Sequence, residues 1–139
     1  MSDLPKRVVD KMMQQDPFSA WMGMELIEIG KGHCTLQMTV RKEMLNGFAK
    51  AHGAITFALA DSCLAFAANS YGEQALSIET SISHTRGVME NDRLEARATQ
   101  IDRGGRLARY RVEVKRMEDG LVVASFHGTV YNSGKSWFE

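Results

Sequence analysis

Little in this chain is available for cross-linking, for metal or for long-range charge. There are only two cysteines, Cys34 and Cys63, and neither belongs to a paired spacing, so no disulfide framework or zinc site is expected. The four histidines, His33, His52, His84 and His127, fall at no ligand spacing, and no metal or other cofactor is expected. Lys plus Arg and Asp plus Glu number 17 each, a formal charge of zero. That balance gives no electrostatic footprint for nucleic acid or for an anionic membrane. Met1 to Pro5 is no basic-then-apolar signal segment, and no uninterrupted apolar run reaches the roughly 20 residues of a membrane span. The expected address is the cytoplasm. With neither repeats nor low-complexity stretches, residues 1–139 are expected to form one domain.

What is present is enough apolar material for a core, 44% of 139 residues. Asp3 and Pro5 open a helix with Val8, Val9, Met12 and Met13 on one face. Asp16-Pro17 restarts a short one that Gly23 stops. Met24 to Ile29 and Cys34 to Val40 read as a hairpin turning at Gly30 to Gly32. Period-2 alternation returns around Leu76–Ser83, Arg93–Ala98, Arg109–Lys115 and Val122–Val130, with turns at Val88–Asp92, Arg103–Gly105 and Glu118–Gly120. Between these blocks lies Gly53 to Asn69, rich in alanine and apolar all round the helical wheel, which predicts burial on every side. The expected architecture is α+β, one buried helix of about 25 Å against an antiparallel sheet of about five or six strands.

One residue of that helix does not suit a core. Asp61 is the sole acidic or basic residue between His52 and Glu73, with Phe57, Ala58, Leu64 and Ala65 as its helical neighbours. A buried carboxylate without a partner is costly, so its presence calls for a reason. The plain one is a subunit boundary, where Asp61 caps an amide or pairs with an arginine. The other is chemistry. His52 and Gly53 stand at the helix start, where free amides and the dipole favour developing negative charge and a glycine lets a carbonyl approach. Gly53 and Asp61 are eight residues apart, about 12 Å along the axis and about 80° around it. One carbonyl cannot touch both. If both act on one substrate, a second chain must supply one of them, and a two-fold dimer does so twice.

The run Asn46-Gly47-Phe48-Ala49-Lys50-Ala51-His52-Gly53-Ala54, leading to Leu59-Ala60-Asp61-Ser62, resembles the signature of the hotdog-fold acyl-CoA thioesterases, more narrowly their PaaI (phenylacetyl-CoA thioesterase) branch. The resemblance spans nearly the whole chain. It implies a long helix wrapped in a curved antiparallel sheet, protomers paired into a continuous sheet, and dimers of dimers with active sites at the dimer interface. It implies an acyl-CoA substrate, with Asp61 activating water or attacking the thioester and the Gly53 amide polarising the carbonyl. Asn46 and His52 resemble the pair that shapes the oxyanion side and the acyl pocket. Ser77 falls near a position where relatives hold the water with a hydroxyl, although it also reads as an outward strand serine. The turn with Arg103, Gly104, Gly105 and Arg106 matches the one that meets the CoA nucleotide, and His84 and Asn132 are further candidates for that channel.

The chain departs from the pattern at three places: Gly87 follows Arg86 where relatives often have proline, Asn91 precedes Asp92 where they have glycine, and Ala54 replaces a second glycine. These bear on the rim of the CoA channel and on acyl specificity. Two rival readings use the same residues. A hotdog-fold enoyl-CoA hydratase or dehydratase would pair His52 with Asp61, and a non-catalytic acyl-CoA-binding module would keep the pocket without turnover.

Overall fold

The computed structural model describes residues 3–138; Met1, Ser2 and Glu139, the ends of the expected domain, lie outside the described residues. Helix α1 spans Leu4–Met13 and α2 spans Pro17–Met22. Asp3 caps α1 by accepting from the Lys6 amide at 3.4 Å, and Asp16 caps α2 by accepting from the Ser19 amide at 3.0 Å. Gly23 ends α2 with a φ of 72°, a left-handed turn that suits a residue without Cβ. Strands β1 (Glu25–Gly30) and β2 (His33–Thr39) form the expected hairpin. After a 3-10 turn at Lys42–Met44 comes α3 (Gly53–Asn69), then β3 (Glu73–His84), β4 (Arg93–Gly104), β5 (Leu107–Arg116) and β6 (Val122–Ser136). No helix among the described residues is long and apolar enough to cross a membrane.

The six strands form one antiparallel sheet in the order β1-β2-β4-β5-β6-β3, wrapped about α3. Leu59, Cys63, Leu64 and Phe66 of α3 pack on Leu36, Leu94, Val112 and Phe126 of the sheet, all essentially without solvent exposure. The Cys63 thiol donates to the Cys34 carbonyl oxygen at 3.2 Å. That neighbouring thiol, together with burial, pushes the Cys34 thiol far above the ordinary range, so it stays protonated and inert. Gly128 of β6 gives the helix room. A Cβ there would stand 2.6 Å from Leu64 Cδ2 and 3.4 Å from Thr80 Cγ2. Gly128→Val is therefore expected to cost about 1–3 kcal/mol of stability, readable in urea unfolding.

Two expectations are corrected. The helix is not covered on every side: Ala54, Phe57, Ala58, Asp61 and Ala65 keep partial exposure, and their spacing traces one stripe along α3. Nor does β3 alternate strictly. Ser77 pairs with Val130 and Glu79 with Thr129, so Ile78 is the extra residue of a β-bulge. Before the bulge, Ala75 and Ser77 face α3; after it, Thr80, Ile82 and His84 do, opposite Gly128, Phe126 and Ala124. Leu76 therefore turns outward, 75% exposed, and Ile78 is 60% exposed.

Candidate active site

The approach to α3 is a tight loop built on Asn46. Its Oδ1 accepts from the amides of Phe48 at 2.8 Å and Lys50 at 3.3 Å, while its backbone amide donates to Lys50 O at 2.7 Å. The side-chain amide nitrogen of Asn46 has no partner among the described residues. His52 is the N-cap of α3, with φ −60° and ψ 140°, and its Nδ1 accepts from the Ala54 amide at 3.0 Å. That bond places the imidazole proton on Nε2. It also leaves the preceding amide, Gly53 N–H, donating to none of the described residues.

His84 closes one side of this tip. Thr56 Oγ1 donates to Gly53 O at 3.1 Å and lies within hydrogen-bonding distance of His84 Nε2, at 2.7 Å. The ring packs against the glycine so closely that a Cβ on Gly53 would meet His84 Cε1 at 3.3 Å. Asn46, Gly53, Thr56 and His84 all line one cleft of about 360 Å³. It is an amide-rich recess suited to an oxygen that becomes negative.

Asp61 opens elsewhere. It lines a separate cleft of about 280 Å³ with Ser77, Leu64, Ala65 and Val130. Its carboxylate accepts no hydrogen bond from the described residues, and burial raises its pKa above the ordinary aspartate value. An incompletely solvated carboxylate of this kind is a stronger base than an exposed one. Ser77 joins it because of the bulge. Within one chain, then, Gly53 and Asp61 do not share a cleft. The Gly53 cleft touches β3 at its end, His84, and the Asp61 cleft touches it near its beginning, at Ala75, Leu76 and Ser77.

The thioesterase superfamily model matches residues 48–123, more than half the chain, with Gly53, Asp61, Ser77 and His84 among them. The chain belongs to the thioesterase superfamily. Its relatives place it in the PaaI branch. The acyl-coenzyme A thioesterase PaaI of Escherichia coli is 31% identical over 123 residues, 88% of this chain and 87% of its own. A curated protein of Archaeoglobus fulgidus, provisionally described as an esterase, is 36% identical over 130 residues, 94% of this chain and 84% of its own. The solved structure of Escherichia coli PaaI superposes with a TM-score of 0.93 at 28% identity, covering 97% of this chain and 99% of that one. The hotdog fold is thus established.

The remaining candidates in this member of the superfamily are spread out. Arg103 lies over the Tyr71 ring at 4.0 Å and pairs with Glu73 at 3.4 Å, so it sits at the Ser77 end of β3, away from His84. With Gly104 it lines a third cleft, of about 380 Å³. Gly105 takes the left-handed turn position, φ 57°, and Arg106 donates to Tyr131 Oη at 2.7 Å. Asn132 is buried opposite Ala75, its Nδ2 without a partner among the described residues, and it lines none of these three clefts. One of the departures has a local explanation. Asn91 holds φ 73°, a conformation asparagine tolerates in place of glycine. Ala54 gives its amide to the His52 cap, and Gly87 O accepts from Arg116 Nη1 at 2.8 Å. Thr56, Met12 and Trp137 line the first two clefts without having stood out in the sequence. Only Thr56 carried a signal, one helical turn after Gly53.

Proposed function

We propose that this protein is an acyl-CoA thioester hydrolase acting on aromatic acyl groups such as phenylacetyl, or on medium-chain ones, at sites each shared by two protomers. One protomer contributes Gly53, Asn46 and His84; the partner contributes Asp61 and Ser77. The observation that carries this reading is that the two half-sites lie at opposite ends of a single edge strand. If β3 pairs antiparallel with β3 of a second copy, the end of one strand meets the beginning of the other, and the Gly53 cleft of one chain meets the Asp61 cleft of its partner twice over. The surface favours such pairing. Leu76 and Ile78 stand exposed on the unpaired edge, Phe48 beside the cleft is 83% exposed, and the uncovered stripe of α3 includes Asp61.

In this arrangement the thioester carbonyl oxygen accepts from the Gly53 amide. Ionised Asp61 takes a proton from water as the water attacks the carbonyl carbon, or attacks that carbon itself and is later released by water. The tetrahedral centre collapses with loss of CoA thiolate, a good leaving group that needs no strong acid. Ser77 holds the water beside Asp61. The name of the Escherichia coli relative supports CoA as the thiol, and the origin of its structure in a phenylacetic acid degradation operon supports an aromatic acid.

The test is release of CoA thiol from a panel running from phenylacetyl-CoA to octanoyl-CoA. Hydration of an enoyl-CoA without thiol release, or no turnover of any thioester, overturns the proposal. A second expectation concerns assembly. Ile78→Lys places like charges against each other on the paired edge, and is expected to give monomers in sedimentation together with a loss of about a hundredfold in activity.

A further inference from the structure

We propose that Trp137 and Met12 form a wall that fixes the longest acyl group this protein accepts, holding a second chamber behind them out of use. This rests on the proposed hydrolase reading and takes the Asp61 cleft as its acyl site, because that cleft starts at the carboxylate and is lined by Leu64, Ala65, Ala75 and Val130. Asp61, Leu64, Ala65 and Asn69 follow one face of α3, so the cleft runs along the helix for about 12 Å from the carboxylate to Asn69. Its walls are mainly apolar and include Met12 and Trp137, the latter bonded to Asn69. The same two side chains also line a separate cleft of about 270 Å³, together with Lys11, Gln15 and Asp16. These two side chains are thus common to both clefts, the first cleft reaching toward the carboxylate and the second toward the α1–α2 junction.

The wall is held firmly. The Trp137 indole Nε1 donates to Asn69 Oδ1 at 2.8 Å, its backbone amide donates to Gly72 O at 2.9 Å, and its carbonyl oxygen accepts from Lys11 Nζ at 2.7 Å. Asn69 is itself buried and committed, donating to Ala65 O and Ala75 O and accepting from the Ala75 amide. Swinging the indole away would leave its own N–H and part of this network unpaired. Phe138 beyond it lies beneath the Arg7 guanidinium, 4.3 Å from the ring centre. Such a stop sets length sharply. An extended chain of roughly eight to ten carbons fills 12 Å, and longer ones meet the indole.

The experiment is an acyl-CoA series from hexanoyl to hexadecanoyl with wild type, Trp137→Ala, Trp137→Phe and Met12→Ala. Wild-type kcat/KM is expected to fall beyond that length. Trp137→Ala is expected to raise the ratio of dodecanoyl to hexanoyl kcat/KM about tenfold or more, through the dodecanoyl KM, because each newly buried methylene adds about fourfold. Trp137→Phe should keep most of the cut-off. Should Trp137→Ala fail to fold, Met12→Ala opens the same wall without removing a hydrogen bond.

A second readout needs no turnover. In a Trp21→Phe background Trp137 is the sole tryptophan, and a CoA thioether bearing an ω-bromo-octyl chain should quench its fluorescence. Quenching without hydrolysis of any thioester would leave the wall standing and remove the hydrolase reading. Hydrolysis with no quenching, or an unchanged length profile in both alanine variants, overturns the wall.

Discussion

Replacing Asp61 by asparagine is expected to lower kcat for thioester hydrolysis by about a thousandfold while the chain stays folded and assembled. Asparagine keeps the shape of the side chain and removes only its capacity to take a proton or to attack. The same change should raise thermal stability at neutral pH. Burial raises the pKa of Asp61 in the folded chain above its unfolded value. Its contribution therefore favours folding at low pH and is lost as pH rises through the folded pKa, because the ionised form is poorly solvated. The difference in Tm between variant and wild type should be near zero in strong acid and grow toward neutrality. In wild type, kcat/KM should rise with pH along an acid limb lying above the ordinary aspartate range, and that limb should vanish in the variant. Full activity in a folded, assembled Asp61→Asn protein would remove Asp61 from the chemistry.

A more stable but inactive variant is what a residue kept for function at a cost to the fold should give, and this tension is what made Asp61 visible in the sequence. A lone acid in an alanine-rich helix has no packing purpose, and the helix limits, Gly53 and Asn69, were legible for the same compositional reason. The caps Asp3, Asp16 and Gly23 were equally local and equally plain. Other features were hidden because they depend on register or on long-range contact. One extra residue at Ile78 exchanges inside for outside along half of β3, and no period-2 pattern shows where such a bulge falls. It brings Ser77 to the helix side and turns Leu76 to solvent. His84 reaches Thr56 across 28 residues, and Trp137 reaches Asn69 across 68. Neither pairing leaves a mark in local sequence. The contacts of Arg103 with Tyr71 and Glu73 are likewise long-range and carry no local signature.

Gly53→Pro is expected to lower kcat by about a hundredfold to a thousandfold, because it deletes a single hydrogen-bond donor aimed at the oxyanion. The site is unusually suited to that change. Gly53 is the first residue of α3, the helical position where proline is best tolerated, and His52 already has φ −60° and ψ 140°, the region that a residue preceding proline prefers. The ring must still settle against His84, whose Cε1 is 3.3 Å from the Cβ position, a shift an exposed imidazole can absorb. Helix content should be unchanged while activity falls. The decisive result comes from pairing the two inactive chains. Co-expressed under different tags and purified as a mixed dimer, Gly53→Pro and Asp61→Asn chains form two sites. One carries both changes, and the other combines an intact Gly53 tip with an intact Asp61. About half of wild-type activity per dimer should return. A site contained within one chain would recover nothing, since each chain would then hold its own defect.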